Sequence, residues 1–194
     1  MKNFAFLVAG LLLAGSASAQ MTKQQSGVYV GIDGGLANTA KDNSLSSSTS
    51  QRTNTGFLRG SVGYQFTPNW ALEAGYFSTG DFKIEGRSMG QTHSSTTSAK
   101  GFDLSGIYKF DNGIFLKAGW HHSTRSASGS SRAGNTVVRR WTFSDSGSGY
   151  LLGAGYELDL SPNASLNVSY TRMQKVAASN GSLNLIGVGL KYRF

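Results

Sequence analysis

Trp120-His121-His122-Ser123 sets a histidine and a serine two residues apart, and so on one face of any strand that carries them. A histidine within reach of a serine hydroxyl is the base and nucleophile of ester or amide hydrolysis. The third group that would orient such a base is missing. No glutamate falls on the neighbouring strand's outer face, and Glu157 is expected to point inward at the opposite end. Metal chemistry finds no better support, because His121 and His122 are adjacent and point apart, while His93 lies in a predicted loop. Gly34-Gly35 lacks the Gly-Lys-Ser/Thr continuation of a phosphate cradle. No catalytic residue, metal ligand or cofactor is therefore expected, and the two histidines read as rim residues of a wet loop. What remains is charge. Arg125, Arg132, Arg139 and Arg140, with Trp141, form a basic and aromatic cluster suited to anionic groups, which guanidinium grips through two parallel hydrogen bonds. A second set, Asp33, Arg59, Glu73, Asp103, Lys109, Lys117, Glu157 and Lys191, is spaced through apolar segments rather than gathered in one.

The elements that must position these groups are strands. From Ile186 to Phe194 the chain alternates without a break: Ile186, Val188, Leu190, Tyr192 and Phe194 share one face, and Gly187, Gly189, Lys191 and Arg193 the other. The same alternation runs through Gly27 to Leu36, Asn54 to Phe66, Trp70 to Ser78, Gly101 to Phe110, Ile114 to about Ser123, Gly147 to Leu158 and Ala164 to Tyr170. That makes eight strands with the last. Short turns at Thr67-Pro68-Asn69, Asp111-Asn112-Gly113 and Asp159 to Asn163 alternate with polar loops expected at Ala37 to Thr53, Thr79 to Lys100 and Thr124 to Ser146, and a brief one before the final strand. Pro68 and Pro162 fall in turns, where a sheet tolerates them. A final strand that pairs with both its predecessor and the first strand leaves no open edge, so the sheet is expected to close into a barrel.

Alternation alone does not say whether the apolar face looks inward, as in a secreted ligand-carrying barrel, or outward to lipid. Three features favour lipid. The other face carries the mixed charges named above among Gly and Ser, which suits a narrow lumen filled by paired side chains. Aromatic residues cluster at both strand ends, Phe66, Trp70, Phe110, Tyr156, Tyr192 and Phe194 by the turns, and Tyr76, Phe102, Trp120, Tyr150 and Tyr170 by the loops. The apolar segments are about 9 to 11 residues, the span of a tilted strand across a bilayer. Charged residues are only 14% of the chain, and cysteine is absent. Lys2, the apolar run Phe4 to Leu13 and the small residues Ala17 and Ala19 read as a secretory signal over residues 1–19, leaving a barrel domain over residues 20–194.

With the eight alternating strands, the Thr-Pro-Asn-Trp-Ala-Leu-Glu-Ala-Gly-Tyr and Gly-Ala-Gly-Tyr units and the terminal Tyr192-Arg193-Phe194, the sequence resembles the OmpA-like transmembrane β-barrel family, among the small outer-membrane barrels and opacity-type surface antigens. The resemblance implies an all-β, eight-stranded, antiparallel, up-and-down barrel in the bacterial outer membrane, with both termini periplasmic. It also implies that Leu190, Tyr192 and Phe194 match the terminal signal read by the barrel-assembly machinery. The peptidoglycan-binding domain of full-length members has no counterpart here, which removes the ground for a wall-tethering role. Of the formal charge of +8, Lys2 lies in the signal, and the remaining +7 gathers in the expected outer loops, where eleven basic residues face four acidic ones. Lipopolysaccharide phosphate is the expected contact, with room for a surface or host ligand, whereas the secretory route argues against nucleic acid. The overall expectation is a monomeric envelope protein without a large pore, serving envelope integrity and surface contact. Two alternatives stay open: an outer-membrane lipid A deacylase, which His121-x-Ser123 resembles without the family's Asn-Ala continuation, and a soluble ligand-binding barrel.

Overall fold

A computed structural model of the protein describes residues 26–39, 49–51, 54–88, 91–133, 136–178 and 181–194. Ten strands form in chain order: β1 (Gly27–Thr39), β2 (Thr49–Gln51), β3 (Asn54–Gln65), β4 (Trp70–Thr79), β5 (Phe82–Ser88), β6 (Gln91–Lys109), β7 (Ile114–Ala133), β8 (Thr136–Asp159), β9 (Ala164–Gln174) and β10 (Ser182–Arg193). Eight of them close a ring in the order β1, β3, β4, β6, β7, β8, β9, β10, each antiparallel to its neighbours. The seam is β1 against β10, with Val30 opposite Tyr192 and Leu36 opposite Ile186. The last strand therefore bonds on both sides, and full closure removes the sheet edges that a strand array would otherwise leave in the bilayer.

The alternation sets the two faces. Leu58, Phe102, Leu152 and Ile186 are each more than half exposed, while Arg59, Asp103, Leu151 and Leu185 beside them are buried. The alternating apolar face thus looks outward, not into the lumen as a secreted ligand-carrying barrel requires. Aromatic contacts mark both rims of this belt. Trp70 meets Tyr108 edge to face at 4.9 Å between ring centres near the turns, and Tyr76 meets Phe102 at 5.0 Å near the loops. Val188 lies midway between these girdles on the outer face of β10. Val188→Arg is expected to destabilise the bilayer-embedded barrel by about 2–4 kcal/mol, as a cation at the lipid midplane costs in such barrels. Unfolding in lipid vesicles measures this, and a cost near zero would contradict a lipid-facing β10.

The short turns form where they were expected. Asp111-Asn112-Gly113 joins β6 to β7, with Gly113 at φ 87°, a backbone conformation that side chains with a Cβ disfavour. The loop end differs from expectation. The stretch Thr124 to Ser146 is a hairpin, not a loop: β7 and β8 stay paired from Ile114↔Tyr156 to Ala133↔Thr136, with one register shift at Ser131/Arg132. Likewise Thr79 to Lys100 contains β5 and the first half of β6, paired from Phe82↔Thr97 to Ser88↔Gln91. Ser, Thr and Gly runs hide such strands because both faces are polar over most of their length, and the short alternation at Trp141 and Phe143 of β8 is too brief to mark a strand. The backbone ladder forms regardless of side chain, and threonine favours it. Of the loop expected at Ala37 to Thr53, only the ends are described, in β1 and β2. The result is a barrel with one tall side, where β5 to β8 rise beyond the belt, and a low side formed by β9, β10, β1, β3 and β4.

Candidate functional site

Inward positions on successive strands stack into layers, and the lowest layers hold charge. Arg59 of β3 is the centre: its Nη1 lies 3.2 Å from Asp33, and its Nη2 2.9 Å from Glu73 and 2.6 Å from Asp103. Its Nε also donates to Asp103 at 2.8 Å, so guanidinium and carboxylate meet through two parallel bonds. Glu73 carries the network onward to Lys117 at 2.9 Å and Lys191 at 3.9 Å, and accepts from the Tyr29 hydroxyl at 3.0 Å. Lys191 then bonds Glu157 at 2.8 Å, and Glu157 bonds Lys109 at 2.9 Å. Asp33, Arg59, Glu73, Asp103, Lys109, Lys117, Glu157 and Lys191 thereby form one connected array, with opposite charges adjacent at each link. Tyr29 and Asp159, the latter 3.6 Å from Lys109, belong to it as well, although the sequence reading left both out. The space left among these groups is small. One cavity beside Arg59 and Lys117 measures about 30 Å³, and one beside Lys109 and Glu157 about 20 Å³. Each holds only one or two water molecules.

Above the charges the lumen turns apolar, which the sequence reading did not anticipate. Ala37, Phe57, Phe77, Ala99, Leu151, Met173, Leu183 and Leu185 are buried together, a contribution from every barrel strand except β7. The signal was present as apolar pairs at adjacent positions, Phe57-Leu58, Tyr76-Phe77, Leu151-Leu152 and Leu185-Ile186. A pair of that kind puts one apolar side chain on each face of a strand. Closing this layer is the turn after β9, where Val176 and Ala177 are buried in the same cluster. Lys175 and Ala177 both sit at positive φ, 57° and 52°, so the chain reverses sharply enough to push Val176 and Ala177 into the barrel mouth.

Strand β7 supplies His121 and Ser123 to this layer, and both are fully buried. His121 points into the lumen on the face it shares with Lys117, as its place in the alternation predicts, but it is sealed there and not part of a wet rim. His122 is exposed, stacked beside Trp120 and 3.0 Å from Ser148 Oγ. The His121 Nε2 lies 2.9 Å from the Gln174 carbonyl oxygen. A carbonyl only accepts, so this nitrogen carries the proton and is not a base toward serine. Ser123 Oγ accepts instead from the Ala177 backbone N–H at 3.0 Å. The pair that looked like a nucleophile and its base fastens the plugging turn from both ends. Among the described residues no group of three or more His, Cys, Asp or Glu side chains is arranged to hold a metal.

The basic cluster lies on the tall side. Arg125 is in β7 opposite Asp145, and Arg140 and Trp141 are consecutive in β8. Consecutive strand residues project to opposite faces, so Arg140 and Trp141 do not make one anchor. Trp141 is 42% exposed on the concave face with Phe143 at 58%, and its indole packs over Gly129 of β7, where any Cβ would collide with it. Arg132 and Arg139 fall in β7 and β8, but their side chains lie outside the described residues. At the other end of the barrel, Leu190, Tyr192 and Phe194 project outward into the lower girdle, and the Phe194 N–H donates to the Val28 carbonyl at 3.1 Å across the seam.

Solved structures with this architecture include Ail, the attachment invasion locus protein of Yersinia pestis, in complex with the heparin analogue sucrose octasulfate. It is 15% identical, covers 88% of this chain and 99% of its own, and superposes with a TM-score of 0.60. A major outer membrane protein from Thermus thermophilus is 13% identical over 87% of this chain and 99% of its own, with a TM-score of 0.53. The outer membrane protein OprG from Pseudomonas aeruginosa is 13% identical over 89% and 99%, with a TM-score of 0.52. At these identities the likeness is one of fold. No curated protein matches the sequence. The family model of the outer membrane protein beta-barrel domain matches residues 7–194, and with the closed ring, outward apolar belt and filled lumen this makes the chain a member of that bacterial outer-membrane family.

Proposed function

We propose that the protein is a non-catalytic, monomeric surface protein whose tall, basic β-sheet binds anionic sugar phosphates of lipopolysaccharide, while its barrel contributes to envelope integrity. The observation that carries this reading is the asymmetry of the barrel. The lumen is filled and its charges are paired, whereas Arg125 and Arg140 stand on the part of β7 and β8 that rises beyond the apolar belt. The orientation proposed puts this tall side outside the cell, with residues 1–19 removed as a signal, both ends of the mature chain in the periplasm, and Leu190, Tyr192 and Phe194 read by the assembly machinery. The polyanion bound to Ail belongs to the same broad chemistry of clustered negative groups on a saccharide.

Exposed guanidinium groups act on phosphate mainly through charge, and salt screens that attraction. Arg125→Gln, Arg139→Gln and Arg140→Gln combined are expected to weaken lipopolysaccharide binding about tenfold and to flatten its salt dependence, as the loss of about 1.4 kcal/mol would. Titration of the purified barrel with lipopolysaccharide at two salt concentrations measures both. Unchanged affinity in the triple variant would remove the basic sheet from this role. In planar bilayers the filled lumen is expected to give no large ohmic conductance.

A further inference from the structure

Strand β8 is longer than the neighbour that should cover it. On one side it pairs with β7 from Thr136 to Tyr156, but on the other its pairing with β9 stops at Leu151↔Met173. Among the described residues nothing pairs with it on that side from Arg140 to Ser146, so it is an edge strand standing above the end of β9, in a barrel whose closure removes every edge at membrane depth. The direction of its free groups follows from one hydrogen bond. The Glu157 N–H donates to the Gly113 carbonyl, on the β7 side. Backbone groups alternate sides along a strand, so odd-numbered residues of β8 face β7 and even-numbered ones face away. The N–H and C=O groups of Arg140, Thr142 and Ser144 thus point into the open slot. Ser146 follows the same rule, and its N–H is met by the Asp145 carboxylate at 2.9 Å, a local cap at the foot of the slot.

We infer that this edge takes up an extended, acidic segment of another polypeptide as an added strand above β9. The backbone of Arg140, Thr142 and Ser144 supplies the ladder, and main-chain bonding of this kind is indifferent to sequence. The side chains supply the selection. Trp141 and Phe143, both exposed on the concave face, offer an apolar surface to alternate residues of the guest. On the other face Arg140 stands at the top of the slot, while Arg172 and Lys175, both exposed, flank its foot. Asp145 lies on the concave face with Trp141 and Phe143, where it stands opposite Arg125 of β7. A guest with alternating apolar and acidic residues matches both faces. A second copy in the same membrane does not fit, because both β8 strands would run in the same direction across the bilayer and tilt across one another instead of aligning in an antiparallel ladder. The inference rests on the proposed orientation, which puts the slot outside the cell, but not on lipopolysaccharide binding.

The test uses the purified full barrel in lipid nanodiscs and a fluorescent peptide of about ten residues alternating valine with glutamate. Saturable binding is expected, and a peptide N-methylated at alternate residues should not bind, because methylation removes the guest's donors and leaves its charge. Thr142→Pro with Ser144→Pro removes only donors that face the slot, and proline is tolerated on a sheet edge. That variant should keep its lipopolysaccharide affinity and bind the peptide about tenfold more weakly, or worse. No binding of the parent peptide, or equal binding of the N-methylated one, overturns strand addition without touching the lipopolysaccharide reading. Equal binding of a valine and lysine peptide overturns the acidic guest.

Discussion

Arg59→Leu is expected to destabilise the barrel by about 3–5 kcal/mol, the cost of removing one partner from a buried ion pair. Arg59 is almost fully buried and touches Asp33, Glu73 and Asp103, so its loss strands carboxylates in a lumen with little room for water. Lys117 and Lys191 still reach Glu73, but the structure offers Asp103 no other ion-pair partner among the described residues. Asp103 therefore bears most of the penalty. Adding Asp103→Leu to Arg59→Leu should recover a large part of the loss, since an apolar pair replaces a charged one without leaving either partner unpaired. Denaturant unfolding of the three proteins in the same lipid closes the cycle. A single variant within about 1 kcal/mol of the parent would mean that water or a shifted lysine replaces the guanidinium at little cost.

The second large effect is expected in the plug. Phe77 is fully buried in the apolar layer, and Phe77→Ala should cost about 3–5 kcal/mol, as a large cavity in a packed core usually does. The same change removes packing beneath Val176 and Ala177, so the turn should also become cleavable by protease in the folded barrel. Ser123→Ala is the informative comparison. It deletes only the acceptor of the Ala177 N–H and should cost about 1–3 kcal/mol, with little change in packing. Protease resistance retained in Phe77→Ala would show that the hydrogen bonds from His121 and Ser123 hold the turn without the apolar layer.

Much of this architecture was legible from period alone. Where one face of a strand meets lipid and the other a polar lumen, hydropathy alternates, and Ile186 to Phe194 could be read residue by residue. The same rule misled in two places. In the rising halves of β6 and β7 both faces are polar, and in that of β8 the alternation is confined to Trp141 and Phe143, so strands looked like loops. In the layer around Phe57, Phe77, Leu151 and Leu185 both faces are apolar, and the inner members were hidden among their outward neighbours. His121-x-Ser123 shows a different limit. Residue types and spacing were consistent with hydrolysis, but the partners that decide the matter, the Gln174 carbonyl and the Ala177 N–H, lie 53 and 54 residues away.

By itself, then, the sequence determined the strands of the belt, the faces they present and the closure of the ring, because each depends on local alternation and on the chain's last strand having two neighbours. Only the tertiary structure decided which lumenal charges meet, how the mouth is plugged and where β8 is left uncovered. Those depend on register between strands distant in sequence and on unequal strand lengths, and neither leaves a periodic trace along a single chain.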